Sequence, residues 1–214
     1  MKSKIQSLKN GNKKTVIKKL FLTAAVAVSS VTFAQQFGAK AGMNVLTISD
    51  EGFDDTKSKV GYYAGVFMNV PVSESFSIQP EVLYNNLGSK VSSTVLGTTY
   101  SSTLNLDYVA VPVMFQYKAT PQFYLEAGPE FGFLVNAKQK FDNGSSSIVT
   151  ELDKEDFNSF NMGVGLGLGF DISKNVGLNA RYVAGFSDIT KKSGPAADAK
   201  NKNNAFQVGL NIKF

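Results

Sequence analysis

Cysteine, histidine and tryptophan are all missing from this chain of 214 residues. The absence of cysteine excludes disulfides, thiolate-bound metals and thiol nucleophiles. The absence of histidine excludes Ser-His and Cys-His relays and histidine-ligated metals. Only carboxylate, lysine, tyrosine or Ser-Lys chemistry is left for catalysis. The composition therefore argues against an enzyme, and it predicts neither a cofactor nor a bound metal.

Acidic residues are missing from the first 34 residues, which carry seven lysines. The formal charge of the whole chain is +5. Residues 35–214 hold 15 basic and 17 acidic residues, which gives them a net charge of −2. Because the basic surplus belongs to the N-terminal segment, we expect no nucleic-acid partner.

Long apolar runs are missing after Ala34. Before it, a cationic stretch at Lys13–Lys19 precedes a short apolar run at Leu20–Val31, and a small residue closes the segment at Ala34. The run is shorter than the roughly 20 residues of a spanning helix, so residues 1–34 are predicted to be a cleaved secretory signal peptide. A secreted chain without cysteine favours a bacterial source. If the mature chain, residues 35–214, enters a membrane, it must do so as a closed barrel.

The mature sequence alternates between apolar and other residues with a period of two. From Val60 to Val70, for example, every second residue is apolar, whereas Gly61, Gly65 and Asn69 lie between them. Eight such stretches are predicted to be strands, at 37–45, 60–70, 76–84, 108–117, 123–135, 160–170, 176–186 and 206–214. No position on the apolar face of these eight stretches carries a charged residue.

The connections between these stretches alternate strictly in length. Long connections at 47–58, 87–102, 141–158 and 187–203 alternate with short turns at 71–75, 119–122 and 173–175. Short turns at one end and long loops at the other are typical of outer-membrane barrels. Aromatic residues near the strand ends and glycine on the non-apolar face favour the same structure. The sequence therefore predicts an all-β, eight-stranded, antiparallel up-and-down transmembrane barrel whose apolar face contacts lipid.

Six segments of the mature chain have a recognisable sequence: FGAKAGMNV at Phe37–Val45, YYAGVF at Tyr62–Phe67, SIQPEVLY at Ser77–Tyr84, DYVAVPVMFQY at Asp107–Tyr117, FYLEAGPEFGFL at Phe123–Leu134 and NIKF at Asn211–Phe214. They resemble the small outer-membrane β-barrel family described as porin-like or PorT-type. The resemblance implies a location in the outer membrane of a Gram-negative cell envelope, among membrane lipid and lipopolysaccharide. It also implies that Phe214 is read by the barrel-assembly machinery. It does not indicate a function, since one fold serves many functions.

Three prolines lie inside predicted strands, at Pro80, Pro112 and Pro129. Proline cannot donate a hydrogen bond to a ladder, and a closed barrel has no free edge. Each proline is therefore expected at a bulge or at an interruption of the ladder, the alternative being a different register.

Six charged residues fall on the inward face by parity: Lys40, Glu81, Glu126, Glu130, Arg181 and Lys213. Three are acids and three are bases, and an eight-stranded barrel is only about wide enough for side chains to fill it. Unpaired charges there would be costly, so a salt-bridged network that closes the lumen is predicted. The alternative is a narrow, gated ion path.

Three functions remain open from the sequence. The favoured one is a structural or interaction protein, a plugged barrel that displays four long loops outward to envelope partners that the sequence does not identify. The second is a narrow pore or a transporter component for small solutes. The third is a soluble secreted barrel that binds a ligand, with its apolar face inward.

Overall fold

Antiparallel strands make up most of the described chain. The computed structural model describes residues 35–49, 59–95, 98–144, 146–153, 157–188 and 202–214. The strands are β1 (Gln36–Ser49), β2 (Lys59–Pro71), β3 (Phe76–Val95), β4 (Thr98–Lys118), β5 (Phe123–Asp142), β6 (Ser147–Glu151), β7 (Phe160–Asp171), β8 (Val176–Asp188) and β9 (Lys202–Lys213). Among these residues no helix is long and apolar enough to cross a membrane.

Eight of the nine strands form a closed ring. Each pairs antiparallel with its neighbours in the order β1, β2, β3, β4, β5, β7, β8 and β9, and β9 pairs back with β1. The short strand β6 pairs with β5 beyond the point where β7 ends its own pairing with β5. The predicted eight-stranded antiparallel barrel is confirmed, and β6 is an addition that the sequence did not predict.

The two faces of the wall differ as the alternation predicted. Apolar side chains point outward and are exposed, as at Leu166 (66%) and Val66 (58%). Polar side chains point inward and are buried, as at Asn44 (0%) and Gln79 (3%). Because an apolar outer face and a polar interior suit lipid outside the wall, this excludes the soluble barrel with an apolar interior.

The prolines interrupt the ladder without changing its register. Pro80 lies opposite Val113 in β4, whereas on its other side the pairing of β3 with β2 has a gap. The pairing of β4 with β3 is likewise interrupted beside Pro112, and that with β5 is interrupted beside Pro129. Of the two expected explanations, the interruption is therefore the observed one.

A register shift does occur in β5, away from the prolines. Asp107 lies opposite Asn136 and Tyr108 lies opposite Leu134, so Val135 is an extra residue in β5. A bulge of this kind reverses which face the following residues present. Phe133 is accordingly exposed outside, whereas Ala137, an even number of positions later, is buried inside.

Two of the predicted long loops are partly strand. Residues 87–102 were predicted to be a loop, but β3 and β4 continue through them as a paired hairpin as far as Val95 and Thr98. Within 141–158, the strand β6 pairs with the end of β5. Alternating polar and β-branched residues such as those of 87–102 fit a hairpin beyond the lipid, where no apolar face is needed. Residues 50–58 and 189–201 of the other two long loops lie outside the described residues.

Both ends of the described chain meet at the short-turn end of the barrel. Phe214 donates its backbone N–H to the carbonyl oxygen of Phe37 at 2.8 Å, and the Lys213 N–H bonds to the Asn175 carbonyl oxygen at 2.7 Å. The Phe214 side chain is 77% exposed. The placement of both ends beside the turn that precedes β8 agrees with an even number of strands.

Candidate functional site

The inward glycines make room for the large side chains that fill the lumen. A Cβ atom on Gly169 would lie 2.1 Å from the Tyr124 ring, and one on Gly165 would lie 2.9 Å from Met114. Both contacts are closer than real Cβ atoms allow. The glycine-rich alternation of β7 is therefore explained by close packing inside the barrel.

A cluster of four charged side chains crosses the lumen. Arg181 donates two hydrogen bonds to Glu81, from Nη1 to Oε2 at 3.0 Å and from Nη2 to Oε1 at 2.8 Å, and it donates Nε to Oε1 of Glu126 at 2.7 Å. Lys40 donates to Glu81 Oε1 at 2.8 Å. All four side chains are 2% exposed or less. We call these four residues the charge network.

The charge network joins opposite sides of the ring. Arg181 lies on β8 and Glu81 lies on β3, which are four places apart in the ring of eight. Lys40 on β1 and Glu126 on β5 are separated in the same way. Two-point hydrogen bonding of a guanidinium to a carboxylate fixes the orientation of both groups. The network therefore ties the walls together across the full width of the lumen.

Neutral polar groups continue this packing toward the short turns. Gln79 donates to Glu81 at 2.8 Å, and Gln116 donates to Glu126 at 3.0 Å. Asn69 donates to Gln79 and Gln116 at 3.1 and 2.8 Å. A second chain runs from the Tyr63 hydroxyl through Asn179 and Asn211 to the Tyr124 hydroxyl, with distances of 2.9, 2.8 and 3.0 Å. We call the charge network and these amide and tyrosine groups the turn half of the lumen.

Two of the six charged residues predicted inside lie apart from the charge network. Lys213 pairs with Asp171 near the short turns, where both side chains are partly exposed. Glu130 makes no ion pair with any other described residue, and its Oε2 atom is buried without a hydrogen-bond partner. The structure therefore brings four of the six predicted residues together.

The other half of the lumen contains an apolar cluster that the sequence analysis missed. Its buried members are Leu87, Leu106, Tyr108, Ala137, Phe157 and Ala205. Leu87 and Leu106 were missed because both lie beside or within the predicted loop at 87–102, and Ala137 was missed because the bulge reverses its face. We call this cluster, together with the residues between it and the charge network, the loop half of the lumen.

Two buried charged residues that the sequence analysis missed lie at the loop end, where Asn86 bonds to both of them. Lys59, the first residue of β2, donates to the carbonyl oxygen of Leu87 and to Asn105 Oδ1, both at 2.8 Å. Asp107 accepts hydrogen bonds from Asn86 and Asn136. The sequence pattern gave little indication of Lys59, since this residue precedes the first alternating residue of its strand.

Comparison with protein families identifies the fold's family. A family model described as outer membrane protein beta-barrel domain matches residues 33–191. The chain belongs to this family. No curated protein matches it.

Solved structures of small outer-membrane barrels are similar to this member of the outer membrane protein beta-barrel family. Neisserial surface protein A is 14% identical, with a TM-score of 0.51, and the match covers 85% of this chain and 100% of that one. Ail, the attachment invasion locus protein of Yersinia pestis, is 13% identical, with a TM-score of 0.49 and the same coverage. At such identities the similarity to the neisserial protein shows the fold alone, which agrees with the family and with a location in the outer membrane.

Proposed function

We propose that this protein is a non-catalytic outer-membrane barrel with a closed lumen, which serves as a structural or interaction protein of a bacterial cell envelope. Export by the segment 1–34, with cleavage after Ala34, belongs to the same proposal. So do recognition of Phe214 by the barrel-assembly machinery and contact of the outer face with lipid and lipopolysaccharide.

The charge network is the observation that supports a closed lumen. The Arg181 side chain bonds to Glu81 on the opposite wall, and Lys40 and Glu126 fill the two remaining directions. An ion path through this level would have to separate buried, paired charges, which is expensive. An eight-stranded barrel leaves little width for water beside such side chains.

The extension of the wall beyond the lipid supports an interaction role. Strands β3, β4 and β5 are 20, 21 and 20 residues long, about twice the length of a tilted strand that crosses a membrane. With β6 they form a sheet above one side of the barrel. Exposed apolar side chains on this sheet include Ile148 and Val149. We infer that this sheet and the connections at the same end are the surface that meets envelope partners.

Conductance in planar bilayers tests the closed lumen. We expect the refolded protein to insert without stable current steps, with a wide porin as the conducting control. Heat-modifiable gel mobility verifies that the silent protein is folded. Stable, ion-selective steps from folded protein would overturn the closed lumen and favour the pore.

Epitope tags test which end faces outward. A tag after Gly144, in the exposed turn between β5 and β6, should bind antibody on intact cells. A matched tag after Lys174, in the short turn before β8, should bind only after the cells are permeabilised. The reverse result would place the extended sheet in the periplasm and contradict the proposed interaction surface.

A further inference from the structure

The loop half of the lumen encloses a small polar cavity just above the charge network. Its volume is about 30 Å³. Polar side chains that line it include Asn85, Glu130, Asn161, Gln207 and Tyr108. A single water molecule needs roughly 10–15 Å³ of such space. The cavity therefore has room for one ion of about the size of a water molecule and for about one water.

Three oxygen atoms without a partner belong to residues that line this one cavity. Five buried side-chain atoms in the described residues have no hydrogen-bond partner, and Asn85 Oδ1, the Tyr108 hydroxyl and Glu130 Oε2 are three of them. Asn85 and Tyr108 are 1% and 2% exposed. Buried polar groups are otherwise satisfied in native proteins, so three orphans around one space indicate something that contacts them all. None of the three bonds to another, which leaves the space between them for a ligand.

Glu130 is the charged residue among those that line the cavity, and no cation in the described residues pairs with it. In the charge network, Lys40 already pairs with Glu81, and Arg181 pairs with Glu81 and Glu126. Glu130 adds a third carboxylate to these two cations, while Asp171 near the short turns pairs with Lys213. Among the described residues of the lumen, Glu130 is therefore a carboxylate without an ion pair. A buried charge of this kind has to be compensated.

We propose that this cavity is a binding site for one monovalent alkali cation, held by Glu130, Asn85 and Tyr108. Carboxylate, amide carbonyl and hydroxyl oxygens are the ligands that hard cations prefer. One unit of positive charge would balance the unpaired Glu130 carboxylate and give the three orphaned oxygens a partner. Water alone would satisfy the oxygens and leave the charge.

The test measures unfolding of the full barrel in lipid vesicles by urea, with sodium, potassium or choline chloride at constant ionic strength. A ligand that binds only the folded state raises the folded-to-unfolded ratio almost tenfold for each tenfold rise in its concentration above the dissociation constant. We expect this dependence with sodium or potassium and none with choline, which is too large for the cavity.

Substitution assigns the effect to the cavity. Glu130→Gln should abolish the dependence on alkali cations, and Tyr108→Phe should weaken it by removing one ligand. Glu74→Gln is the matched control, since Glu74 is exposed in the short turn after β2, and it should leave the dependence unchanged. Equal stability of the wild type in all three salts would overturn the proposal.

Two further measurements cover the remaining outcomes. An infrared carbonyl band of a protonated carboxylic acid at neutral pH, lost in Glu130→Gln, would show that a proton compensates the charge and would overturn the proposal.

If Glu130→Gln does not fold, rubidium is soaked into wild-type crystals. An anomalous peak inside the cavity supports the site, and an empty cavity overturns it. The site does not need a closed lumen, so conductance of the wild type would overturn the proposed function alone.

Discussion

The two halves of the lumen are held together by different forces. In the turn half, charged and amide groups bond to one another from wall to wall, and the Arg181 head group is bonded to Glu81 and Glu126. In the loop half, an apolar cluster around Leu106 fills the barrel beside a cavity with unpartnered oxygens. The same wall of strands therefore surrounds a polar interior at one end and a partly apolar interior at the other.

The comparison teaches that the closing of the barrel does not depend on one kind of packing. A polar interior is stable only when its groups are satisfied, because an unpaired buried charge is costly. An apolar interior has few groups that need hydrogen-bond partners, but it loses stability when a side chain that fills it is truncated. Substitutions in the two halves should therefore lower the stability of the barrel for different reasons.

The largest loss of stability is expected from Arg181→Ala in the turn half. This change removes one cation from between two buried carboxylates, Glu81 and Glu126, and leaves Glu126 without its ion pair. Breaking a buried ion pair on one side costs about 3–5 kcal/mol. Reversible unfolding by urea in lipid vesicles measures the free energy of unfolding. The control is Lys138→Ala, whose exposed pair with Glu151 should contribute about 0–1 kcal/mol. Equal losses for the two variants would contradict a role for burial.

A loss almost as large is expected from Leu106→Ala in the loop half. Leu106 is fully buried in the apolar cluster. Truncating a buried leucine costs about 2–5 kcal/mol through lost burial and the cavity left behind. The same urea titration measures it, and Leu106→Met, which keeps the volume, should cost less than about 1.5 kcal/mol. If the two variants were equally stable, the loop half would not depend on packing.

The fold could be predicted because a lipid environment forces a simple pattern on the sequence. Every second residue from Val60 to Val70 faces lipid, so the period is visible without knowledge of any contact. Parity also placed Lys40, Glu81, Glu126 and Arg181 inside. Which charges pair could not be predicted, since that depends on side chains that meet across the ring. Arg181 and Glu81 are 100 residues apart in the sequence.

The loop end was harder to predict because lipid no longer constrains it. Residues 87–102 are polar enough for a loop, yet they form a hairpin whose partners are set by the strands below them. The bulge at Val135 reverses the faces of β5 without a proline or glycine to mark it. The apolar cluster depends on both features, so it could not be read from the alternation.

The smallest effects, and the sharpest comparison, are expected from two tyrosines. The Tyr63 hydroxyl bonds to Asn179 in the turn half at 2.9 Å, whereas the Tyr108 hydroxyl in the loop half has no partner. Tyr63→Phe leaves the Asn179 oxygen without its donor and should cost about 1–3 kcal/mol. Tyr108→Phe breaks no hydrogen bond, so in choline chloride it should change the free energy of unfolding by less than about 0.5 kcal/mol. The variants remove the same atom, so an equal loss for both would mean that the Tyr108 hydroxyl is bonded within the lumen even without an alkali cation.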